Sequence, residues 1–171
     1  MERNELGNKI VVLGVSASGK STFARRLAAK LQLPLIHIDE LMWKPGWQYI
    51  GDEETIRLIK EASEKDSWII EGYIEKGAQL DLFNKADRLL YLDYPASVPT
   101  LRYVKRWWQH RTDPRPELPG CPERFSLEFL WRVYKKKEVY RLEQLFKKID
   151  YSAKIIKLKS PKEAEELLQS L

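Results

Sequence analysis

Along the chain, short continuous runs of hydrophobic residues alternate with longer segments in which hydrophobic and polar residues recur at regular spacing. Short apolar runs, typical of strands buried on both faces of a sheet, occupy residues 9–13, 33–39, 68–72, 88–92 and 154–158. Between these runs, apolar residues recur at helical spacing, which predicts helices over 19–31, 52–65, 96–110 and 126–148 and a closing helix that starts at Pro161. This alternation predicts an α/β fold with a parallel sheet and right-handed crossovers.

Two segments interrupt the alternation. Residues 40–51 are rich in aromatic side chains and contain Pro45 and Gly46, which predicts a loop. Residues 111–124 contain four prolines and a glycine, which predicts a lid inserted into a single domain that spans residues 1–171. No internal repeat and no low-complexity tract divides the chain further.

The composition is that of a soluble globular protein, with 43% hydrophobic and 32% charged residues. The single cysteine, Cys121, cannot form an internal disulfide or a four-sulfur zinc site, and we interpret it as a structural thiol of the lid. The N-terminus is polar, and no apolar run approaches the roughly 20 residues of a membrane-spanning helix. We therefore expect a cytoplasmic protein without a membrane partner.

Positive charge is concentrated in one region. The formal net charge is +5, but residues 102–148 alone carry a net +7. Such a region either meets an anion or lies in solvent. Three consecutive lysines within it, Lys135, Lys136 and Lys137, point in different directions around a helix, so we interpret them as a solvated face.

The segment GVSASGKS at residues 14–21 has the spacing of a Walker A phosphate-binding loop. Its backbone amides can point into one concavity at the N-terminus of a helix, where positive potential favours phosphate. Lys20 would reach the β and γ phosphates, Ser21 would ligate Mg²⁺, and Thr22 could touch an α-phosphate oxygen. A chance glycine turn is the alternative, but the buried strand before it and the helix after it favour ATP and Mg²⁺ as cofactors, bound by Gly14, Val15, Ser16, Ala17, Ser18, Gly19, Lys20, Ser21 and Thr22.

Asp39 follows the second apolar run, at the edge where open α/β sheets hold ligands. Its carboxylate could accept the proton of a substrate hydroxyl or orient that hydroxyl. The alternative is an aspartate that caps a turn or a helix.

Arginines are frequent in and beside the predicted lid. Guanidinium groups that close over a transferred phosphoryl group can stabilise its charge while water is excluded. A solvated basic surface is the alternative. Of the candidates Arg102, Arg106, Arg111, Arg115 and Arg124, we favour Arg106, Arg111 and Arg115 as catalytic together with Lys20.

Aromatic residues have two possible roles. Trp43, Trp47 and Tyr49 lie where a base or sugar ring could stack, although core packing is as plausible. We interpret Trp107, Trp108 and Trp131 as core or lid hinge, and His37 as an interior histidine with a hydrogen-bonding partner.

The chain resembles the DNA topology modulation (FlaR-like) family, relatives of adenylate kinase, in HIDELMWKPGW after strand two, WIIEGY at strand three, LYLDYP, and PGCPERF in the lid. The resemblance implies a P-loop NTPase fold of the nucleotide-kinase type, with strand order 2-3-1-4-5, a lid after strand four, and Ser160 and Pro161 at the adenine edge. The lid lacks the cysteine cluster that some adenylate kinases use to bind zinc, and no arginine follows Gly72 as it does in the typical nucleotide kinase motif.

In the implied strand order, Glu71 ends the strand beside the Walker A strand, so its carboxylate could hold a Mg²⁺-bound water with Ser21 as the metal ligand. Asp93 competes for this role, because RLLYLD reads as a Walker B string.

The favoured function is therefore an ATP-dependent kinase that phosphorylates a nucleoside, a nucleotide or another small hydroxyl compound. An ATP-binding, nucleic-acid-associated protein that modulates DNA topology is the alternative, suggested by the family name and the basic region. It is not favoured, because the basic residues coincide with the predicted lid and no base-readout motif is present.

Overall fold

The computed structural model describes residues 3–74, 76–148 and 150–171. Its strands are β1 (Lys9–Gly14), β2 (Leu35–His37), β3 (Trp43–Lys44), β4 (Gln48–Tyr49), β5 (Trp68–Glu71), β6 (Arg88–Leu92) and β7 (Ile155–Leu158). Five of them form a parallel sheet in the order β2-β5-β1-β6-β7, and β3 and β4 form a separate antiparallel hairpin. The predicted five-stranded α/β sheet, with order 2-3-1-4-5 among its own strands, is confirmed.

The helices are α1 (Arg3–Leu6), α2 (Lys20–Leu31), α3 (Ile38–Met42), α4 (Asp52–Ser63), α5 (Lys76–Lys85), α6 (Ser97–His110), α7 (Leu127–Tyr134), α8 (Lys137–Lys148) and α9 (Pro161–Gln169). None of the helices in these described ranges is long and apolar enough to span a bilayer.

The sheet is apolar on both faces because helices cover both. Successive side chains of a strand point to opposite faces, and β1 shows this directly. Val11 and Leu13 belong to one core cluster, whereas Ile10 and Val12 belong to the other. A central strand of this kind has no polar face, which explains the unbroken apolar run in the sequence.

Several elements differ from the sequence prediction. The second strand ends at His37, because α3 begins at Ile38 and takes Asp39 into its first turn. The segment expected to be a loop contains the β3–β4 hairpin, whose strands pair Trp43 with Tyr49. The sequence analysis did not predict helix α5, which buries Ala78, Leu82 and Phe83.

The prediction of a single long helix over residues 126–148 is wrong. It divides into α7 and α8, and Lys136 between them has a left-handed backbone with φ of 51°. The break allows Val133 on one helix and Val139 on the other to be buried in the same core cluster. It also directs the Lys136 ammonium to the Asp93 carboxylate, so the expectation of a fully solvated lysine at this position is wrong.

Residues 111–124, the lid loop, connect α6 to the start of α7 without helix or strand. Three hydrogen bonds join the lid loop to the β3–β4 hairpin. The Gly46 amide donates to the Gly120 carbonyl at 2.9 Å, and the Trp47 indole donates to the Pro122 carbonyl at 2.9 Å. The buried Cys121 thiol donates to the Lys44 carbonyl at 3.3 Å. We refer to these contacts as the clasp.

We predict that Gly72→Ala destabilises the protein. Gly72 has φ of 133°, and an added Cβ would lie 2.9 Å from the Ile38 Cβ. Backbone strain and overpacking each cost on the order of 1–3 kcal/mol. Gly46→Ala is the matched control, because Gly46 also has positive φ, 80°, but its added Cβ meets nothing within 4 Å.

Urea unfolding of both variants measures the difference. The Gly72 variant should lose more free energy of unfolding than the Gly46 variant by about 1–3 kcal/mol, since only the former adds a clash. Equal losses would contradict the importance of the close approach between β5 and α3.

Candidate functional site

The loop from Gly14 to Ser21 turns sharply between β1 and α2. Ala17 and Gly19 both have positive φ, 63° and 95°, and Gly19 lies at the N-cap of α2. The Lys20 ammonium lies across the loop, where it donates to the Val15 carbonyl at 3.1 Å. This strand, loop and helix have the geometry that a phosphate-binding loop requires.

Arg102 of α6 fixes the far side of this loop. Its guanidinium donates to the Ser18 carbonyl and lies 5.6 Å from the centre of the Tyr94 ring. A Cβ on Gly19 would meet the Arg102 Nη1 atom at 2.7 Å, so the arginine approaches as closely as a glycine allows. The contact ties α6, the helix that precedes the lid loop, to the phosphate-binding loop.

Glu71 is a buried carboxylate at the carboxyl end of β5. The register places it between Val12 of β1 and His37 of β2. His37 Nδ1 lies 2.5 Å from Glu71 Oε1, and the nitrogen donates because an ionised carboxylate has no proton to give. Glu71 is 3% exposed, so the histidine compensates for much of its lost hydration.

The pKa of Glu71 reflects this balance. Burial raises the pKa, but the hydrogen bond from His37 and the positive charge of Lys20 outweigh burial, and the Ser21 hydroxyl adds to them. The net result is a pKa below the usual glutamate range. Glu71 is therefore ionised near neutral pH and lies beside the serine that was predicted as a metal ligand.

The pKa of Asp39 is shifted in the opposite direction. Burial raises its pKa, and the neighbouring charge of Glu71 raises it further. Lys20, Arg115 and Arg106 lower the pKa, but only in part, so it lies above the usual aspartate range. Two carboxyl groups of unlike acidity thus lie next to each other at the end of the sheet.

Arg106 and Arg115 converge on one buried carboxylate. Arg106 Nε lies 3.0 Å and Arg115 Nε lies 2.9 Å from Glu123 Oε1, and Glu123 is 7% exposed. Burial lowers the pKa of Arg106, and Glu123 opposes this effect. Two guanidinium groups that share one carboxylate leave a positive charge available to an anion.

Of the other two arginine candidates, only Arg124 lines one of the two cavities described below. Arg111 is exposed, stacks on the Trp108 ring at 3.9 Å and donates to the Trp108 carbonyl at 2.7 Å. It lines neither of the cavities described below. Arg124 lies at the end of the lid loop, and its carbonyl accepts a hydrogen bond from the Tyr103 hydroxyl at 3.2 Å.

Two cavities meet at these side chains. A cleft of ≈ 570 Å³ runs over the phosphate-binding loop to Pro161 and Leu168 of α9, and a cavity of ≈ 1000 Å³ lies under the hairpin and the lid loop. We call them the nucleotide cleft and the acceptor cavity. The side chains that line both are Ser16, Asp39, Tyr73, Arg106 and Arg115.

The structure separates the two candidate acids for magnesium. Glu71 lines the nucleotide cleft, whereas Asp93 lines neither cavity and is ion-paired with Lys136. Asp93 directly follows β6 on the other side of β1, and its amide donates to the Leu158 carbonyl at 2.9 Å. The geometry favours Glu71.

The aromatic candidates fall into two groups. One group, Trp43, Trp47 and Tyr49, forms a contiguous wall of the acceptor cavity. The centre of the Trp43 ring lies 5.5 Å from that of Trp47 and 5.3 Å from that of Tyr49. Trp108 and Trp131 are 62% and 54% exposed, so of the two roles expected for them, core or lid hinge, the core role is wrong. Both stack with cations, Trp108 with Arg111 and Trp131 with Lys135.

The residues present fit a magnesium nucleotide. Oxygen ligands suit Mg²⁺, which in nucleotide sites takes one or two protein oxygens and completes its shell with phosphate and water. The Ser21 hydroxyl at the start of α2 and the neighbouring Glu71 carboxylate at the end of β5 supply such oxygens. Among the described residues, no group of three or more His, Cys, Asp or Glu side chains is arranged as a self-sufficient metal site.

The fold and the loop define a P-loop protein with the architecture of small-molecule kinases. The chain is 28% identical over 138 residues to adenylate kinase 2 of Nostoc sp. (strain PCC 7120 / SAG 25.82 / UTEX 2576), a match that covers 64% of this chain and 73% of that protein. The coarser part of the predicted resemblance, similarity to adenylate kinases, is therefore confirmed.

Solved kinase structures share the fold. A gluconokinase from Sinorhizobium meliloti 1021 is 18% identical to this chain and superposes with a TM-score of 0.59. The match covers 97% of this chain and 90% of the gluconokinase chain. Shikimate kinase from Aquifex aeolicus has 20% identity and a TM-score of 0.55, and covers 94% and 90%. No family model matches the chain, so the specific resemblance to the DNA topology modulation family is not confirmed.

Sequence reasoning did not identify four contributors to the site. His37 was expected to be a satisfied interior residue, which it is, but its partner is Glu71. Glu123 was not singled out, and its pairing with two arginines follows only from the path of the lid loop. Lys136 and Glu138 reach Asp93 and Ser16 because of the helix break, for which no sequence signal was found.

We predict that Glu71→Gln lowers the pKa of Asp39. The negative charge of Glu71 is one of the two effects that raise this pKa, after burial, and glutamine removes the charge while keeping the shape. Carboxyl-carbon NMR titration measures the change. Glu40→Gln is the control, since Glu40 is exposed on the same short helix. An Asp39 titration that is the same in wild type and the Glu71 variant would contradict the coupling.

Proposed function

We propose that this protein is an ATP-dependent phosphotransferase that phosphorylates a hydroxyl group of a small molecule. The observation that carries the proposal is the junction of the two cavities at Asp39, Arg106 and Arg115. A phosphoryl group must cross from one cavity to the other at a point where a base and cations are both in reach. The adenylate kinase relative and the kinase folds of the structural neighbours support the same class.

Asp39 is the residue that we assign to the acceptor hydroxyl. Its raised pKa makes the carboxylate a better proton acceptor than an ordinary aspartate. As the hydroxyl oxygen bonds to the γ phosphorus of ATP, its proton passes to Asp39 and ADP leaves. Asp39 then returns the proton to solvent.

The cations around the junction stabilise the transferred group. Arg106 and Arg115 are ion-paired with the buried Glu123 carboxylate, so both guanidinium groups already lie at the junction before a substrate arrives. Lys20 can turn from the Val15 carbonyl to the phosphates. Magnesium held at Ser21 and Glu71 would neutralise phosphate charge, the chemistry that the metal supplies in such sites.

The acceptor class follows from the wall of the acceptor cavity. Trp43, Trp47 and Tyr49 offer flat apolar faces, and the cavity also contains Arg132 and Lys137. A nucleoside, a nucleotide or another small hydroxyl compound with a ring fits such a wall. The relative and the structural neighbours named above are an adenylate kinase, a gluconokinase and a shikimate kinase, which supports a small-molecule acceptor.

The alternative is an ATP-binding protein that acts on DNA, as the resemblance to the DNA topology modulation family suggested. It is not favoured, because several cations of the basic region have partners inside the fold. Arg106 and Arg115 pair with Glu123, and Lys136 pairs with Asp93. The two arginine side chains are only 21% and 14% exposed and line the junction of the two cavities, where a small molecule can reach them more readily than a DNA backbone can.

The decisive experiment is an acceptor screen. Purified protein is incubated with Mg²⁺ and ATP labelled on the γ phosphate, together with nucleosides, nucleoside monophosphates, sugar acids and other small hydroxyl compounds. Transfer of label to one class is expected, and Lys20→Ala is the control that should abolish transfer. If no acceptor is labelled while salt-dependent DNA binding is found, the kinase proposal is wrong.

We predict that Asp39→Asn lowers turnover about a hundredfold or more and leaves ATP affinity nearly unchanged. The amide cannot take the acceptor proton, whereas ATP is held by the loop amides and Lys20. Steady-state kinetics with the acceptor found in the screen, and calorimetry with an ATP analogue, separate the two effects. A parallel loss of affinity and turnover would contradict the role in proton transfer.

We also predict that Arg115→Ala lowers turnover by about a hundredfold, more than Arg111→Ala does. Both arginines belong to the lid loop, but only Arg115 reaches the junction, whereas Arg111 stacks on Trp108. The two variants remove the same charge from the same segment, so each is the control for the other. Equal losses would mean that Arg111 enters the site when substrates bind.

A further inference from the structure

Glu138, near the start of α8, contacts the phosphate-binding loop directly. Its Oε2 accepts a hydrogen bond from the Ser16 backbone amide at 2.7 Å, and its Oε1 accepts one from the Ser16 hydroxyl at 2.9 Å. These contacts join residues that are 122 positions apart in the chain. Glu138 is only 13% exposed at its side chain, so the contact is shielded from water.

The Glu138 carboxylate is an anion bound where the loop binds anions. Loop amides at a helix N-terminus form a site for phosphate oxygens, and a carboxylate oxygen has the same charge and acceptor character. One amide cannot serve both anions at this distance, and two anions side by side repel each other. A phosphate that takes the Ser16 amide must therefore displace Glu138.

The position of Ser16 identifies which phosphate competes. Ser16 lines both cavities, whereas Gly19, Ser21 and Thr22 line only the nucleotide cleft. The phosphate nearest the acceptor cavity is the terminal one, because that group is transferred. Ser16 is thus placed to bind the γ phosphate and not the α or β phosphate.

The surroundings show that Glu138 is held in place by the fold. Lys136, two residues earlier, is ion-paired with Asp93, and Val139, the next residue, is buried in the core. The only other charged partner of Glu138 in the described part of the chain is Arg132, whose Nε lies 3.7 Å away. Arg132 and Glu138 both line the acceptor cavity, so a displaced Glu138 side chain has a cation to turn to.

We propose that Glu138 is a specificity-determining residue that occupies the γ-phosphate position at Ser16 and is released toward the acceptor cavity when a nucleoside triphosphate binds. This inference rests on the proposed nucleotide-binding function. Glu138 sets the preference between triphosphate and diphosphate, because only the triphosphate has to displace it. The same movement changes the charge that the acceptor meets.

Nucleotide affinities of Glu138→Gln test the proposal. Calorimetry with Mg²⁺ and either ADP or an ATP analogue with a non-hydrolysable γ phosphate gives two dissociation constants for each protein. The variant should bind the ATP analogue about tenfold more tightly than wild type does, because a neutral amide competes less well for the Ser16 donors. ADP affinity should change less than twofold.

Two further variants make the test specific. Glu143→Gln removes the same charge from the same helix, but Glu143 lies against the Tyr91 hydroxyl at 3.3 Å and lines neither cavity, so both affinities should stay unchanged. Ser16→Ala removes one of the two donors and keeps the amide. It should shift the ratio of the two affinities in the same direction by a smaller factor, even if the glutamine variant folds poorly.

The outcomes are distinct. A raised preference for the ATP analogue in the Glu138 and Ser16 variants, absent in the Glu143 variant, supports the proposal. If the preference for the ATP analogue is unchanged in the Glu138 and Ser16 variants while wild type binds ADP and the ATP analogue, the proposal is overturned and the proposed kinase function stands. Weaker binding of the ATP analogue by Glu138→Gln also overturns it. Wild type that binds neither nucleotide would refute the proposed function and this inference together.

Discussion

The structure depends on the burial of an ionised carboxylate, Glu71, at the end of its central sheet. A buried charge is costly unless it is paired and hydrogen-bonded. The parallel register supplies the solution, because it brings His37 of β2 to one side of Glu71 and the phosphate-binding loop, with Lys20, to the other. The same charge raises the pKa of Asp39. One compensated charge is therefore coupled to the candidate metal ligand Ser21, to the candidate base Asp39 and to Lys20 of the loop.

The sequence predicted what depends on local pattern. Buried strands are continuous apolar runs, and the loop at Gly14 to Ser21 is a motif whose glycines and lysine act within eight residues, so both could be read directly. The position of Asp39 at the sheet edge follows from the end of the second strand, although that strand stops two residues earlier than expected. The role of these residues in chemistry stays a prediction.

Other parts of the site could not be read, because they depend on contacts between distant segments. The helical pattern of 126–148 is continuous in sequence, yet burial of Val133 and Val139 in one core requires a turn at Lys136. That turn brings Glu138 to a loop 122 residues away. Likewise, nothing in the local sequence distinguishes Glu123, which binds two arginines, from an exposed acid of the lid loop.

The clasp between the β3–β4 hairpin and the lid loop has a mechanical consequence. Its three hydrogen bonds join the aromatic wall of the acceptor cavity to the loop that contains Arg115. Displacement of either wall alone would break these hydrogen bonds, so the clasp links the position of the loop that contains Arg115 to that of the aromatic wall. A substitution at Trp47 that removes its hydrogen bond to the Pro122 carbonyl would therefore loosen the aromatic wall and the loop that contains Arg115 together.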